Sequence, residues 1–293
     1  MILIFAYLAV LVFVVGAIWR GVRIARMPVH LRWELAPVPH EKSKASYGGS
    51  YLEEFEWWTK PREKSLINEG LYMFQEIVFL KGVWEHNRSL WPWSFSFHFG
   101  LYLLVGMVVS LLLASFGVTV FGQVAQWMGG VGYALGAVGA LGLLGKRLFD
   151  PKLKPFTAAS SYFNLVLLAA VFVSGGIALS AGGFLASTTL FARAFFTADT
   201  GVPVGAAVSA HIAIGMLFLL YLPFTSMMHF LAKYFMYHEV RWNDEPIRGN
   251  TAMQEEVKAL LGQPVTWAAP HLGADGKKNW VDIATADVTK EGN

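Results

Sequence analysis

The chain has 293 residues, of which 55% are hydrophobic and 15% are charged, and its formal net charge is +3. Because soluble domains carry about 25% charged residues, this composition and its long apolar runs indicate an integral membrane protein rather than a soluble one. The absence of cysteine excludes disulfides, thiolate zinc sites and iron–sulfur ligation by this chain. The net charge is too small to indicate nucleic-acid binding, and we expect no nucleic-acid partner.

Five apolar runs are each about as long as the roughly 20 residues that cross a hydrocarbon core. We therefore predict an all-α, polytopic membrane protein built as a bundle of five transmembrane helices. The first run resembles a signal peptide, but no basic residue precedes it and no small-residue cleavage site follows it, so we interpret it as a retained helix. The predicted spans are Ile2–Trp19 and, approximately, Phe95–Phe116, Val124–Leu144, Tyr162–Leu185 and Val204–Leu231.

Positive charges fall on alternate connecting segments. The loops at 117–123 and 186–203 carry a single basic residue, Arg193, whereas the other connections are basic. By the positive-inside rule, we predict that the N-terminus is outside and the C-terminus is cytoplasmic, in the cytoplasmic (inner) membrane. The residues that decide this orientation are Arg20, Arg23, Arg26, Lys146, Arg147, Lys152, Lys154, Lys233, Arg241 and Arg248.

The segments outside the spans are polar or amphipathic. Ser65 is a suitable N-cap for an amphipathic helix, whose mixture of apolar and charged residues predicts a position at the membrane interface. Trp91 and Trp93 follow it and are typical of an aromatic belt. The predicted organisation is a first transmembrane helix at 1–22, a cytoplasmic loop at 23–90 with the amphipathic helix at about 66–86, a four-helix membrane bundle at 91–233 and a cytoplasmic tail at 234–293.

Glycines recur at short intervals in the third run, among them Gly132, Gly136 and Gly139. Because small residues let membrane helices pack closely, we favour helix packing as their role. The alternative interpretation is that they let a flat cofactor approach the helix.

Three of the eight histidines lie within the predicted spans, where ionisable groups are costly and usually functional. On a continuous helix of about 3.6 residues per turn, the 18 residues from His211 to His229 make five turns, so both would lie on one face about 27 Å apart. That separation suits two sites at opposite membrane depths. The three histidines are His98, His211 and His229, and the other five are His30, His40, His86, His238 and His271.

His98 and His229 are expected at similar depth, because the second helix begins and the fifth helix ends on the predicted cytoplasmic side. A neutral imidazole is a common metal ligand, and two histidines on facing helices are a common way to hold an electron-transfer haem. We therefore predict His98 and His229 as the axial ligands of an inner haem b. A hydrogen-bonded packing role is the alternative for each histidine.

This pattern resembles the membrane cytochrome b family that includes the gamma subunit of respiratory nitrate reductase. Within it, the chain is most similar to the membrane subunits of sulfite-reduction-associated and heterodisulfide-reductase-like complexes (the DsrM, TmcC and HdrE types). The resemblance covers roughly Val78 to Pro246 and rests on "FHFGLYLLVG", "HIAIGMLFLLYLPFTSMMH" and "KYFMYHEVRWNDEP". It implies a quinone-reactive haem b subunit, with menaquinone or another quinone as membrane substrate, bound to a cytoplasmic iron–sulfur subunit of the heterodisulfide-reductase type.

The chain departs from this family at the outer haem. The nitrate reductase type has a second histidine ten residues beyond the first on the second helix, where this chain has Val108 beside Met107. His211 therefore lacks an imidazole partner. Three interpretations remain: a second haem with Met107 as a weak ligand, although nine residues turn Met107 away from the face of His98; a haem that is five-coordinate or ligated by another subunit; or no outer haem, with His211 in a quinone site or in packing.

Two further segments are candidate contacts. His86 and Arg88 precede the second helix, where they suit haem propionates or quinone oxygens, or else form a solvated interfacial cluster. The stretch "HEVRWNDEP", which contains His238, is predicted to dock the cytoplasmic partner.

We thus expect the membrane subunit of a respiratory oxidoreductase that exchanges electrons between a membrane quinone and a cytoplasmic iron–sulfur partner. It is not expected to complete the reaction alone, and further subunits of such a complex are additional candidate partners. A transporter or channel subunit is one alternative, although the spans contain no Asp or Glu and show no repeat. A haem-free membrane anchor is the other alternative, and it predicts a colourless protein.

Overall fold

The computed structural model describes residues 1–27, 47, 49–61, 65–244, 246 and 249–287. His30, His40 and the part of the predicted loop at 28–46 lie outside the described residues. The chain divides into two compact units. The first comprises Met1–Ile18 and Gly70–Met228, and the second comprises Trp19–Glu69 and His229–Asn293.

Helices dominate the described chain, and eleven of them are labelled here. They are α1 (Ile2–Ala25), α2 (Leu66–Val78), α3 (Lys81–His86), α4 (Trp91–Ser115), α5 (Val120–Phe149), α6 (Ala159–Ser180), α7 (Phe184–Thr197), α8 (Ala206–Tyr221), α9 (His229–Phe235), α10 (Thr251–Leu261) and α11 (Trp280–Ala284). A two-stranded antiparallel ladder, β1 (Ala268–Ala269) with β2 (Ala274–Asp275), lies between α10 and α11.

Five of these helices are long and apolar enough to cross a membrane, which confirms the predicted count and the helical fold class. They are α1, α4, α5, α6 and α8, the last extended by one tight turn to Phe224. Their backbone hydrogen bonds are made within each helix, as a lipid environment requires. The chain is therefore a multi-pass helical membrane protein.

The predicted spans and the observed helices differ at their ends. Helix α4 begins at Trp91, before the predicted Phe95, and Pro92 is tolerated there because the first turn needs no N–H donor. Helix α5 has 30 residues and is about 45 Å long, which exceeds a hydrocarbon core of about 30 Å. Helix α6 stops at Ser180 rather than Leu185, because Gly182 and Gly183 adopt positive φ.

The fifth predicted span is interrupted. Helix α8 ends at Tyr221, Pro223 lies in a tight turn, and Thr225 is extended with φ −115° and ψ 167°. Proline has no N–H to continue the helical ladder. The prediction of one continuous helix over Val204–Leu231 is therefore wrong, and His211 and His229 lie on different helices rather than on one helical face.

Two helices near the membrane segments differ from expectation. The loop predicted at 186–203 contains most of α7, a 14-residue apolar helix that is too short to span and packs against α4. The amphipathic helix predicted at about 66–86 is two helices, α2 and α3, because Leu80 between them has φ +51°. The predicted cap at Ser65 is confirmed, since its hydroxyl accepts the backbone N–H of Asn68 at 3.3 Å.

Glycines bring α4 and α5 together at backbone distance. A Cβ atom built on Gly100 would lie 2.5 Å from the backbone N of Gly136, and one built on Gly139 would lie 2.3 Å from the backbone N of Phe97. The side chain of Phe172, from α6, covers Gly136 at 2.2 Å in the same test. The packing interpretation of these glycines is therefore confirmed, because protein atoms fill the face that a flat cofactor would need.

Helix α1 meets residues that follow it by about 190 positions or more. The Tyr7 hydroxyl donates to the carbonyl oxygen of Phe195 at 2.6 Å, across 188 residues of sequence. Further along α1, a Cβ on Gly16 would lie 2.6 Å from Cβ of Pro223. The first helix is thus held by α7 and by the turn after α8.

The second unit contains the segment that was predicted to dock a partner. Residues Met236–Arg241 form a π-helix, and the Trp242 and Asp244 side chains after it are buried. Tyr51 donates its hydroxyl to the Asp244 carboxylate. Part of "HEVRWNDEP" therefore packs within the chain. In the same unit, backbone N–H groups of Lys278 and Lys277 lower the pKa of the exposed Asp275 carboxyl.

Candidate functional site

His98 lies on α4, one turn after Ser94, and its ring is half-buried. Its Nδ1 is 2.7 Å from the backbone carbonyl oxygen of Ser94. A carbonyl oxygen only accepts, so Nδ1 bears a proton and donates it to Ser94. Metal-ligating histidines almost always donate their other N–H in this way, which fixes the ring and raises its basicity. The donor chemistry of His98 therefore fits an axial iron ligand.

His229 is the first residue of α9, directly after the interrupted segment, and its side chain is exposed. It belongs to the second compact unit, whereas His98 and His211 belong to the first. The pairing of His98 with His229 stays a prediction from the sequence.

His211 lies on α8 and is hydrogen-bonded at both ring nitrogens. The Tyr133 hydroxyl on α5 is 2.8 Å from Nε2, and the Ser174 hydroxyl on α6 is 3.0 Å from Nδ1. The Tyr133 ring meets the imidazole edge to face at 5.2 Å. Three helices therefore meet at one polar cluster, which we call the His211 cluster and define as Tyr133, Ser174 and His211.

The direction of each hydrogen bond in the His211 cluster follows from its last acceptor, which is a backbone carbonyl oxygen. The Ser174 hydroxyl is 3.1 Å from the carbonyl oxygen of Val171, to which only a donor can bond. Ser174 then accepts from the Nδ1–H of His211, which leaves Nε2 to accept from the Tyr133 hydroxyl. The result is one chain of donation from Tyr133 through His211 and Ser174 to a backbone carbonyl.

A second polar contact joins α6 and α8, ten residues along each helix from the contact between Ser174 and His211. Tyr221 donates its hydroxyl to Asn164 Oδ1 at 3.0 Å, and Asn164 is buried. Residue 164 of α6 pairs with residue 221 of α8, and ten residues later residue 174 pairs with residue 211, ten residues earlier. The two helices therefore run antiparallel in a constant register. At about 1.5 Å per residue, the two contacts are about 15 Å apart along the pair.

Sequence reasoning did not single out the partners of His211. Tyr133, Ser174, Asn164 and Tyr221 each stand within apolar runs. Buried hydroxyls and amides in such runs need hydrogen-bond partners. Polar residues within apolar runs were therefore the sequence signal that could have identified these partners.

His86 and Arg88 lie before α4, as predicted, and both side chains are exposed. The Arg88 guanidinium lies over the Trp84 ring at 4.0 Å. A cation–π contact of this kind holds Arg88 on the surface of α3. Both the interfacial-cluster role and the propionate or quinone role stay predictions.

A cleft of about 470 Å³ opens where α4 begins and α5 ends. It combines an aromatic wall with an ion pair, since Lys146 Nζ lies 3.8 Å from Asp150 Oδ2. The lining residues are Trp93, Gly142, Gly145, Lys146, Phe149 and Asp150. The cleft therefore offers a planar apolar surface, a hydrogen-bond donor and a proton acceptor together.

Among the described residues, no three His, Asp or Glu side chains are grouped as a metal site. A haem held by two histidines needs no such group. No protein-family model matches the chain, and no curated protein matches it.

Proposed function

We propose that the chain is a haem b-containing membrane subunit of a respiratory redox complex, exchanging electrons between a membrane quinone and a cytoplasmic iron–sulfur subunit. The observation that carries the proposal is the His98 imidazole, on a spanning helix with its Nδ1–H donated to a carbonyl. His229 is proposed as the second axial ligand from the sequence pattern. The absence of cysteine assigns the iron–sulfur centres to the partner.

The orientation belongs to the proposal as well. The last turn of α5 carries Lys146 and Arg147, and the positive-inside rule places that end in the cytoplasm. The beginning of α4, which contains His98, is linked to that end by the cleft that Trp93 and Lys146 both line. We propose His98 on the cytoplasmic side, where a soluble partner docks.

The cleft supports the quinone part of the proposal. Phe149 on its rim is exposed, which suits entry of a lipid-soluble ring from the bilayer. Trp93 offers a flat face, the Lys146 ammonium can donate to a quinone oxygen, and the Asp150 carboxylate can accept a quinol proton. Haem b, when bound, supplies a one-electron carrier beside this two-electron substrate.

The first test is a dithionite-reduced minus oxidised spectrum of the purified chain, with pyridine haemochrome analysis of haem per chain. We expect b-type absorbance and about one haem per chain, since His98 and His229 would together hold one haem. A colourless protein, expressed with adequate haem supply, would contradict the proposal and favour the haem-free anchor.

The quinone site is tested by reduction of the bound haem with a soluble menaquinol analogue. Lys146→Gln is expected to slow reduction by roughly tenfold, the cost of losing one hydrogen bond from a charged donor. Lys154→Gln is the matched control, because Lys154 is exposed on the following turn and does not line the cleft. Equal rates in both variants and the wild type would place the quinone elsewhere.

A further inference from the structure

We infer that His211 is not an iron ligand and that the chain holds no outer haem; instead, His211 is a positioning residue that joins α5, α6 and α8. The inference rests on the proposed function only for the haem count. The joining role stands on the His211 cluster itself.

Both nitrogens of His211 are already used. Nδ1 bears the proton that Ser174 accepts, and Nε2 accepts the Tyr133 hydroxyl at 2.8 Å. A metal–imidazole bond is about 2 Å long. Iron on Nε2 would therefore stand where the Tyr133 hydroxyl now lies, and iron on Nδ1 would need the ring to lose its proton and its serine partner.

Packing keeps Tyr133 in this position. Its side chain is only 2% exposed, and a Cβ built on Gly175 would lie 2.1 Å from the Tyr133 ring. Phe184 from α7 meets the same ring edge to face. Close contact on these sides means that Tyr133 cannot move aside for a porphyrin without displacing α6 or α7.

Met107, the candidate thioether ligand of an outer haem, is held in another packing contact. Met107 on α4 is buried, and its sulfur lies 2.8 Å from the position of a Cβ on Gly129 of α5. Met107 is thus packed into the α4–α5 contact. Neither of the groups that the sequence offered for an outer haem is arranged to hold one.

The His211 cluster has a positive role that explains a histidine at this depth. A hydrocarbon environment makes an unpaired imidazole costly, and the cluster satisfies both ring nitrogens with side chains from two other helices. With the Tyr221–Asn164 contact, it sets the register of α6 on α8. Under the proposed function, the chain would hold a single haem, with His98 as one of its ligands.

The test measures haem per chain and the unfolding temperature of wild type, His211→Ala, Tyr133→Phe and their double variant. We expect about one haem per chain in all four. The unfolding temperature should fall by roughly 5 °C in each single variant. The double variant should lose less than the sum of the two shifts, because both single changes remove the same hydrogen bond.

Tyr221→Phe is the matched control, since it removes the other α6–α8 hydrogen bond and leaves His211 untouched. About two haems per chain in wild type, with one lost in His211→Ala and none lost in Tyr221→Phe, would overturn the inference. Additive shifts, or no shift, would overturn the joining role. A colourless wild type with the expected shifts would end the proposed function and leave the joining role supported.

Discussion

A His98→Ala variant is expected to lose its b-type absorbance, with haem falling from about one per chain to less than about a tenth. Alanine keeps the helix and removes the nitrogen that the Ser94 contact orients. Under the proposed function, a haem that lost one of its two histidines would be held only by the other histidine and by pocket contacts. The measurement is pyridine haemochrome quantification on detergent-purified, monodisperse protein.

Two comparisons separate a ligand from a packing residue. His98→Gly with added imidazole should regain absorbance, because free imidazole fills the vacated position. His86→Ala should keep its haem, since His86 is not one of the two proposed ligands. His229→Ala should match His98→Ala if both are axial ligands. Retention of haem in His98→Ala would reject the ligand assignment outright.

Gly139→Ala is expected to destabilise the membrane bundle by about 3 kcal/mol, at the upper end of the usual range for overpacking. The added Cβ would meet the backbone of Phe97 at 2.3 Å, and a backbone on a packed helix cannot rotate away as a side chain can. Helices α4 and α5 must separate locally. The measurement is the temperature at which the purified protein loses monodispersity, which should fall by roughly 5–10 °C.

Gly145→Ala on the same helix is the control. Nothing lies within 4 Å of its Cβ position, so alanine adds no clash and should gain up to about 1 kcal/mol of helix propensity. The two substituted glycines are six residues apart on α5, and both variants carry the same change from glycine to alanine. Equal stability of both would mean that α4 and α5 do not approach as closely as the structure has them.

Hydropathy was sufficient to predict the five spans, because a bilayer imposes length and polarity on each helix separately. It was insufficient where a single residue changes the backbone. Leu80 adopts positive φ, and a leucine in a sequence gives no indication of that conformation. Pro223 lies inside the fifth predicted span, but the sequence did not reveal that α8 would end at Tyr221 and that Thr225 would become extended.

The candidate site was only partly accessible to sequence reasoning. Histidines in apolar runs point to His98 and His211, but the partners of His211 come from two other helices. Tyr133 and Ser174 precede it by 78 and 37 residues, and their meeting depends on the rotation of α5 and α6 about their own axes. Rotation is set by packing, here by Gly136 and Gly175, and not by hydropathy.

The contacts of α1 also set an order of assembly. Tyr7 can bond to Phe195 only after a further 188 residues have been synthesised. At about 5–20 residues per second, translation of those residues takes roughly 10–40 s. During this time α1 stays in the bilayer without its final neighbours, which its charge-free run from Ile2 to Trp19 permits. The pair α4 and α5, separated by four residues, can close as a hairpin long before. Helix α1 precedes the other labelled helices in the sequence and is therefore among the last of them to be packed.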